Sequence, residues 1–178
     1  MLLHATHTDD GRLVLTDGDR VTLREQLPAE AAQLADGATG TLEWLGGLPG
    51  DGTITAAGMT VKAAMAGLYA PGWGLFAIQR SDDLVAVGGI GFHGPPSEEG
   101  VAEIGYDLVP AARGVGWATD AARLISRWAL TRPEVRTVLA TTDPDNHASQ
   151  RVLERVGFTR VADLDGLRAY VLTGPAAS

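Results

Sequence analysis

Short apolar-rich runs at residues 12–16 and 20–24 flank Asp17-Gly18-Asp19, a pattern that predicts two strands around a turn. Residues 28–36 read as a helix, with Pro28 near its start and Gly37 after its end. A loop follows at 46–52. Ile54, Ala57, Val61, Ala64, Met65 and Leu68 then recur at helical spacing until Pro71-Gly72. Strands are predicted at 73–79 and 84–92 around Ser81-Asp82-Asp83, and a third at 101–109 after a Gly/Pro loop. Trp117, Ala121, Leu124, Ile125 and Trp128 form the apolar stripe of a helix ending before Pro133. A strand at 135–141, a helix at 146–156 closed by Gly157, and strands at 158–161 and 167–173 complete the pattern, leaving 174–178 as a frayed tail. The order ββαα, βββ, α, β, α, ββ predicts one α/β (α+β) domain over 1–178 with its core at about 12–173. Its sheet is mixed and mostly antiparallel, of about seven strands, with about four flanking helices. No internal repeat or linker interrupts it.

The richest chemistry lies where the strand at 101–109 passes through Arg113, Gly114, Val115 and Gly116 into the helix opening at Trp117, Ala118 and Thr119. Successive free N–H groups at a helix start, with the helix dipole behind them, form an anion site. Glycine lets phosphate oxygens approach the main chain, and Arg113 adds a charged fork. The segment reads as a diphosphate cradle. It differs from a dinucleotide fingerprint, which sits on the first strand of a parallel sheet and needs G-x-G-x-x-G, because Thr119 stands where the third glycine belongs. The G-x-x-x-x-G-K-[S/T] loop of nucleotide triphosphatases is absent.

Composition narrows the partners. The chain has 178 residues, 45% of them hydrophobic and 20% charged, as in an ordinary globular protein. It has no cysteine, which excludes disulfides, thiolate metal ligands and a cysteine nucleophile. His4, His7, His93 and His147 form no metal-helix pattern, so no metal is expected. A net charge of −8 argues against nucleic acid and leans toward a cationic small molecule. No apolar run approaches the ~20 residues of a membrane span, and the N-terminus lacks the pattern of a signal peptide, so a cytoplasmic location without membrane partners is expected.

Three motifs together resemble a known family. Arg113-x-x-Gly116-x-Ala118 is similar to the R/Q-x-x-G-x-G/A motif of the GNAT N-acetyltransferases. With Glu103-Ile104-Gly105-Tyr106 and Asn146-x-x-Ser149-x-x-Val152-Leu153-x-x-x-Gly157-Phe158, the chain resembles the branch containing the ribosomal-protein N-terminal acetyltransferases. The resemblance implies acetyl-CoA as co-substrate, with its pyrophosphate on residues 113–119, and direct transfer to a primary amine, either a small molecule or a peptide N-terminus; it also allows a homodimer. It implies that main-chain groups of Leu108 and Val109 bind the pantetheine and hold the thioester oxygen, with Asn146 on the pantetheine arm. Glu103 is the candidate base, with Asp107 on the same strand face as fallback. The tyrosine that protonates the leaving thiolate in many relatives is replaced by Leu153, which turns attention to Ser149 and admits an alternative, a non-catalytic acyl-CoA-binding module of the same fold. Trp44, Tyr69, Trp73 and His93 are candidate walls of the acceptor pocket.

Overall fold

The computed structural model describes residues 3–174; the remainder of the tail read as frayed, 175–178, lies outside the described residues. Nine strands form one sheet in the order β1-β2-β3-β4-β5-β6-β7-β9-β8. They are β1 (His4–His7), β2 (Leu13–Thr16), β3 (Val21–Glu25), β4 (Leu75–Arg80), β5 (Ala86–Phe92), β6 (Val101–Leu108), β7 (Thr137–Thr142), β8 (Thr159–Leu164) and β9 (Leu167–Thr173). Every pairing is antiparallel except β6 with β7. The helices are α1 (Pro28–Ala35), α2 (Asp51–Met65), α3 (Trp117–Leu130) and α4 (His147–Val156).

The expected count of about seven strands is exceeded chiefly because of β1. All four of its residues are exposed, so it carries no hydrophobic alternation and is specified by pairing with β2 alone. α2 begins earlier than its apolar repeat, at Asp51, because Gly50 and Gly52 sit against β6. β8 is exposed at every position and runs to Leu164, beyond the apolar signal.

The core lies between sheet and helices: Leu15, Leu23, Phe76, Ile78, Ile90, Ile104, Leu124, Ile125 and Leu153 are all essentially buried. The stripe along α3 faces β2, β3 and β5 to β7, while α2 covers β4 to β6. Burying side chains of this size contributes about 1.5–3 kcal/mol each. Among the described residues no helix is long and apolar enough to cross a membrane.

Candidate functional site

β6 is the strand on which the site is built. It stays paired with β5 as far as Leu108, opposite Gly88, but its parallel pairing with β7 ends at Ile104 opposite Ala140. β7 continues with β9 through Thr142. The sheet therefore splits, and one edge of Gly105, Tyr106, Asp107 and Leu108 has no neighbouring strand. Main-chain groups along such an edge need partners.

Immediately beyond that edge the chain makes a 3₁₀ turn over Pro110–Ala112 and enters the cradle. Gly114 and Gly116 have φ of 86° and 91°, a left-handed conformation that glycine adopts without strain. Gly116 caps α3 with no side-chain hydrogen bond. Among the described residues nothing accepts the N–H groups of Gly114, Val115 or Gly116, and those of Trp117, Ala118 and Thr119 lie in the unpaired first turn. Arg113 reaches back to donate to the Leu108 carbonyl at 3.3 Å, so its guanidinium spans cradle and split edge. Val109, expected to offer main-chain groups with Leu108, spends both inside the protein: its N–H donates to Val87 at 3.0 Å and its carbonyl accepts from Ala112 at 3.0 Å. The main-chain groups that face the split are instead those of Tyr106 and Leu108, since the alternate residues Gly105 and Asp107 turn theirs to β5, and the Leu108 carbonyl is the one Arg113 reaches.

Arg20 supports the cradle from a distant part of the chain. It donates to the Val115 carbonyl at 2.8 Å, pairs with Asp120 at 3.1 Å, and lies 4.4 Å over the Trp117 ring. Burial raises the Asp120 carboxyl above the usual carboxylate value, and Arg20 and Arg123 offset only part of that effect. Nothing in the sequence near residue 113 signals this contact.

Two cavities meet at the split. One, of about 350 Å³, lies in the gap between β6 and β7 and is lined by Thr141, Asp143, Asn146, Ser149 and Leu153 among others. The other, of about 370 Å³, lies between α2 and the sheet, with Ala56, Met59, Leu68, Trp73, Leu75 and Phe92 on its walls. His93, Gly105 and Tyr106 border both.

The candidate residues distribute around this junction. His93 Nδ1 lies 3.1 Å from Glu103 Oε2, and Thr141 donates to the same oxygen at 3.4 Å. His93 Nε2 lies 2.9 Å from where a side chain on Gly105 would begin, so glycine there leaves the imidazole its place at the junction. Glu103 itself borders neither cavity; it stands behind the imidazole. Asp107 is pressed against the start of α2, where a Cβ on Gly50 or Gly52 would come within 2.5 and 2.7 Å of it. It therefore places a second negative group at that helix N-terminus, beside Asp51 in its first turn. Tyr69 and Trp73 line the larger cavity, and Trp73 packs edge-on against Phe92 at 4.7 Å. Trp44 does not line it: it is 3% exposed, donates to the Thr39 carbonyl at 2.9 Å and is bridged to Ala86.

Asn146 caps α4 by accepting from the Ser149 N–H at 3.1 Å, and both side chains border the smaller cavity. Tyr106 completes this wall. Its hydroxyl lies 2.8 Å from Ser149 Oγ and donates to the Ser149 carbonyl at 3.2 Å. In the sequence Tyr106 stands in the Glu103–Tyr106 motif, three residues after Glu103 and on the opposite face of the strand, which is the signal that marks it. Burial pushes the Tyr106 hydroxyl up from 10.0 to about 12. Since the folded value exceeds the unfolded one, the associated stability is complete below pH 10 and disappears as pH rises toward 12. Tyr106→Phe is expected to lessen the fall in Tm across that window, measured by thermal denaturation at a series of pH values.

Among the described residues no group of three His, Cys, Asp or Glu is placed to hold a metal ion.

Comparison with known proteins identifies the family. Residues 20–159 match the family described as Acetyltransferase (GNAT) domain. The N-acetyltransferase YjdG of Bacillus subtilis, itself uncharacterised, is 38% identical over 87 residues, 49% of this chain and 52% of YjdG. The chain spans about half the length of the curated relatives it matches. Among solved structures, the apo form of RimL, a ribosomal L7/L12 alpha-N-protein acetyltransferase, superposes with a TM-score of 0.64 at 16% identity, covering 96% of this chain and 99% of RimL. An acetyltransferase from Agrobacterium tumefaciens gives 0.59 at 23%, covering 98% and 96%. At these identities the structures speak for the fold alone.

Proposed function

Because the chain belongs to the GNAT acetyltransferase family, we propose that it is a cytoplasmic enzyme that transfers an acetyl group from acetyl-CoA to a primary amine by direct attack in a ternary complex. The observation that carries this reading is the parting of β6 from β7 immediately before an unpaired helix start. The cradle suits a pyrophosphate: its free N–H groups and Arg113 meet negative charge, and the split edge at Tyr106 and Leu108 offers main-chain partners to an amide-bearing arm. Bound acetyl-CoA supplies an activated thioester carbonyl.

The chain's own groups then divide the proton work. His93 Nε2 takes a proton from the acceptor's ammonium so that the free amine attacks the thioester carbonyl, while Glu103 holds Nδ1 and balances the imidazolium that forms. Tyr106, whose hydroxyl keeps its proton at neutral pH, and Ser149 beside it return a proton to the leaving sulfur. The phenol missing at Leu153 on α4 is thus supplied from β6. Asn146 orders the turn that presents Ser149. Tyr106→Phe combined with Ser149→Ala is expected to lower kcat by about 10²-fold with acetyl-CoA affinity unchanged, read by steady-state kinetics and calorimetry.

The reading is tested by titrating purified protein with acetyl-CoA in a calorimeter and by following thiol release with amines present. The chain has no cysteine, so it contributes no background thiol. Heat with acetyl-CoA and amine-dependent thiol release are the expected results; no heat at millimolar concentration removes the proposal.

A further inference from the structure

The larger cavity carries information about the acceptor that neither the family nor the net charge provides. Its walls come from α2, the segment at 68–75 and the inner ends of β4 to β6, and they are chiefly Ala56, Met59, Ala63, Leu68, Trp73 and Phe92. Among the described residues that line it, Asp107 is the one carboxylate and none is Lys or Arg. Asp107 already faces the N-terminus of α2, which offsets its field. The 22 acidic residues that make the chain negative are therefore not gathered at this site.

We infer that the acceptor is a primary amine with a single charge and an apolar body, its nitrogen at the His93–Tyr106 junction and its body in the cavity against α2. A second or third ammonium group would lose its hydration there with no carboxylate beyond Asp107, itself held against α2, to replace it. A carboxylate or phosphate on the acceptor would meet no cation. The volume of about 370 Å³ falls within the range of small-molecule sites, about 300–1,000 Å³. An apolar body releases ordered water from Trp73, Phe92 and Met59, which supplies the affinity. The inference rests on the acetyltransferase reading above, and a distinct result would defeat each.

The experiment compares hexylamine and 2-phenylethylamine with spermidine, an aminoglycoside and a serine-initiated tetrapeptide, using acetyl-CoA and thiol detection on the full chain. Both monoamines are expected to show kcat/KM at least tenfold above the other three. Ala63→Phe, which fills the cavity from α2, is expected to raise KM for 2-phenylethylamine at least tenfold and leave the Kd for acetyl-CoA unchanged. A higher kcat/KM for the polyamine, the aminoglycoside or the peptide overturns the acceptor assignment while leaving the acetyltransferase reading intact. Binding of acetyl-CoA without turnover of either monoamine overturns it as well. Absence of acetyl-CoA binding defeats the reading beneath it.

Discussion

His93→Ala is expected to lower kcat/KM for amine acetylation by about 10²–10⁴-fold, the range that a positioned general base contributes. The Kd for acetyl-CoA is expected to stay unchanged, because His93 lies at the end of β5 beside Gly105 and takes no part in the cradle at residues 113–119. Steady-state kinetics and calorimetry on the same preparation separate the two. Glu103→Gln keeps the imidazole but replaces the carboxylate 3.1 Å from Nδ1, so a smaller loss, about tenfold, is expected from poorer orientation and an unbalanced imidazolium. A full rate in His93→Ala with a collapsed rate in Glu103→Gln would return the base to Glu103.

Gly116→Ala is expected to weaken acetyl-CoA binding by about tenfold or more. The residue has φ of 91°, where a side chain costs about 1–2 kcal/mol, and tenfold in Kd corresponds to about 1.4 kcal/mol. The added methyl would also come within 3.4 Å of Arg20 Nη1, the nitrogen that pairs with Asp120 while its neighbour Nη2 holds the Val115 carbonyl. The chain either pays that strain or turns its N–H groups away from the anion. Gly11→Ala provides the control, since Gly11 has φ of 82° with no heavy atom within 4 Å of the new methyl. It should lower Tm comparably and leave the Kd unaltered. Equal affinities in both variants would show that the cradle does not grip the cofactor through its main chain.

Much of this arrangement was readable in one dimension because the determinants are local. The Gly114 and Gly116 turn, the first turn of α3 and the Asn146 cap each lie within a few residues of sequence, so composition and spacing expose them. β1 was not readable, because its four exposed residues owe their conformation to hydrogen bonds with β2. Trp44 and Trp73 looked equivalent as aromatic candidates; only packing put one beneath Ala86 and the other on a cavity wall.

Sequence by itself determined the order of elements from β2 onward, the glycine turn that opens α3 and the family, since backbone conformation and glycine tolerance are short-range properties. Tertiary structure decided which side chains converge: Arg20 on the cradle across 95 residues, Tyr106 on Ser149 across 43, and His93 on Glu103 across the β5–β6 pair. It also decided that, among the described residues, Asp107 is the one carboxylate bordering the larger cavity. Such meetings depend on strand register and on where β6 leaves β7, and those are set by the whole sheet.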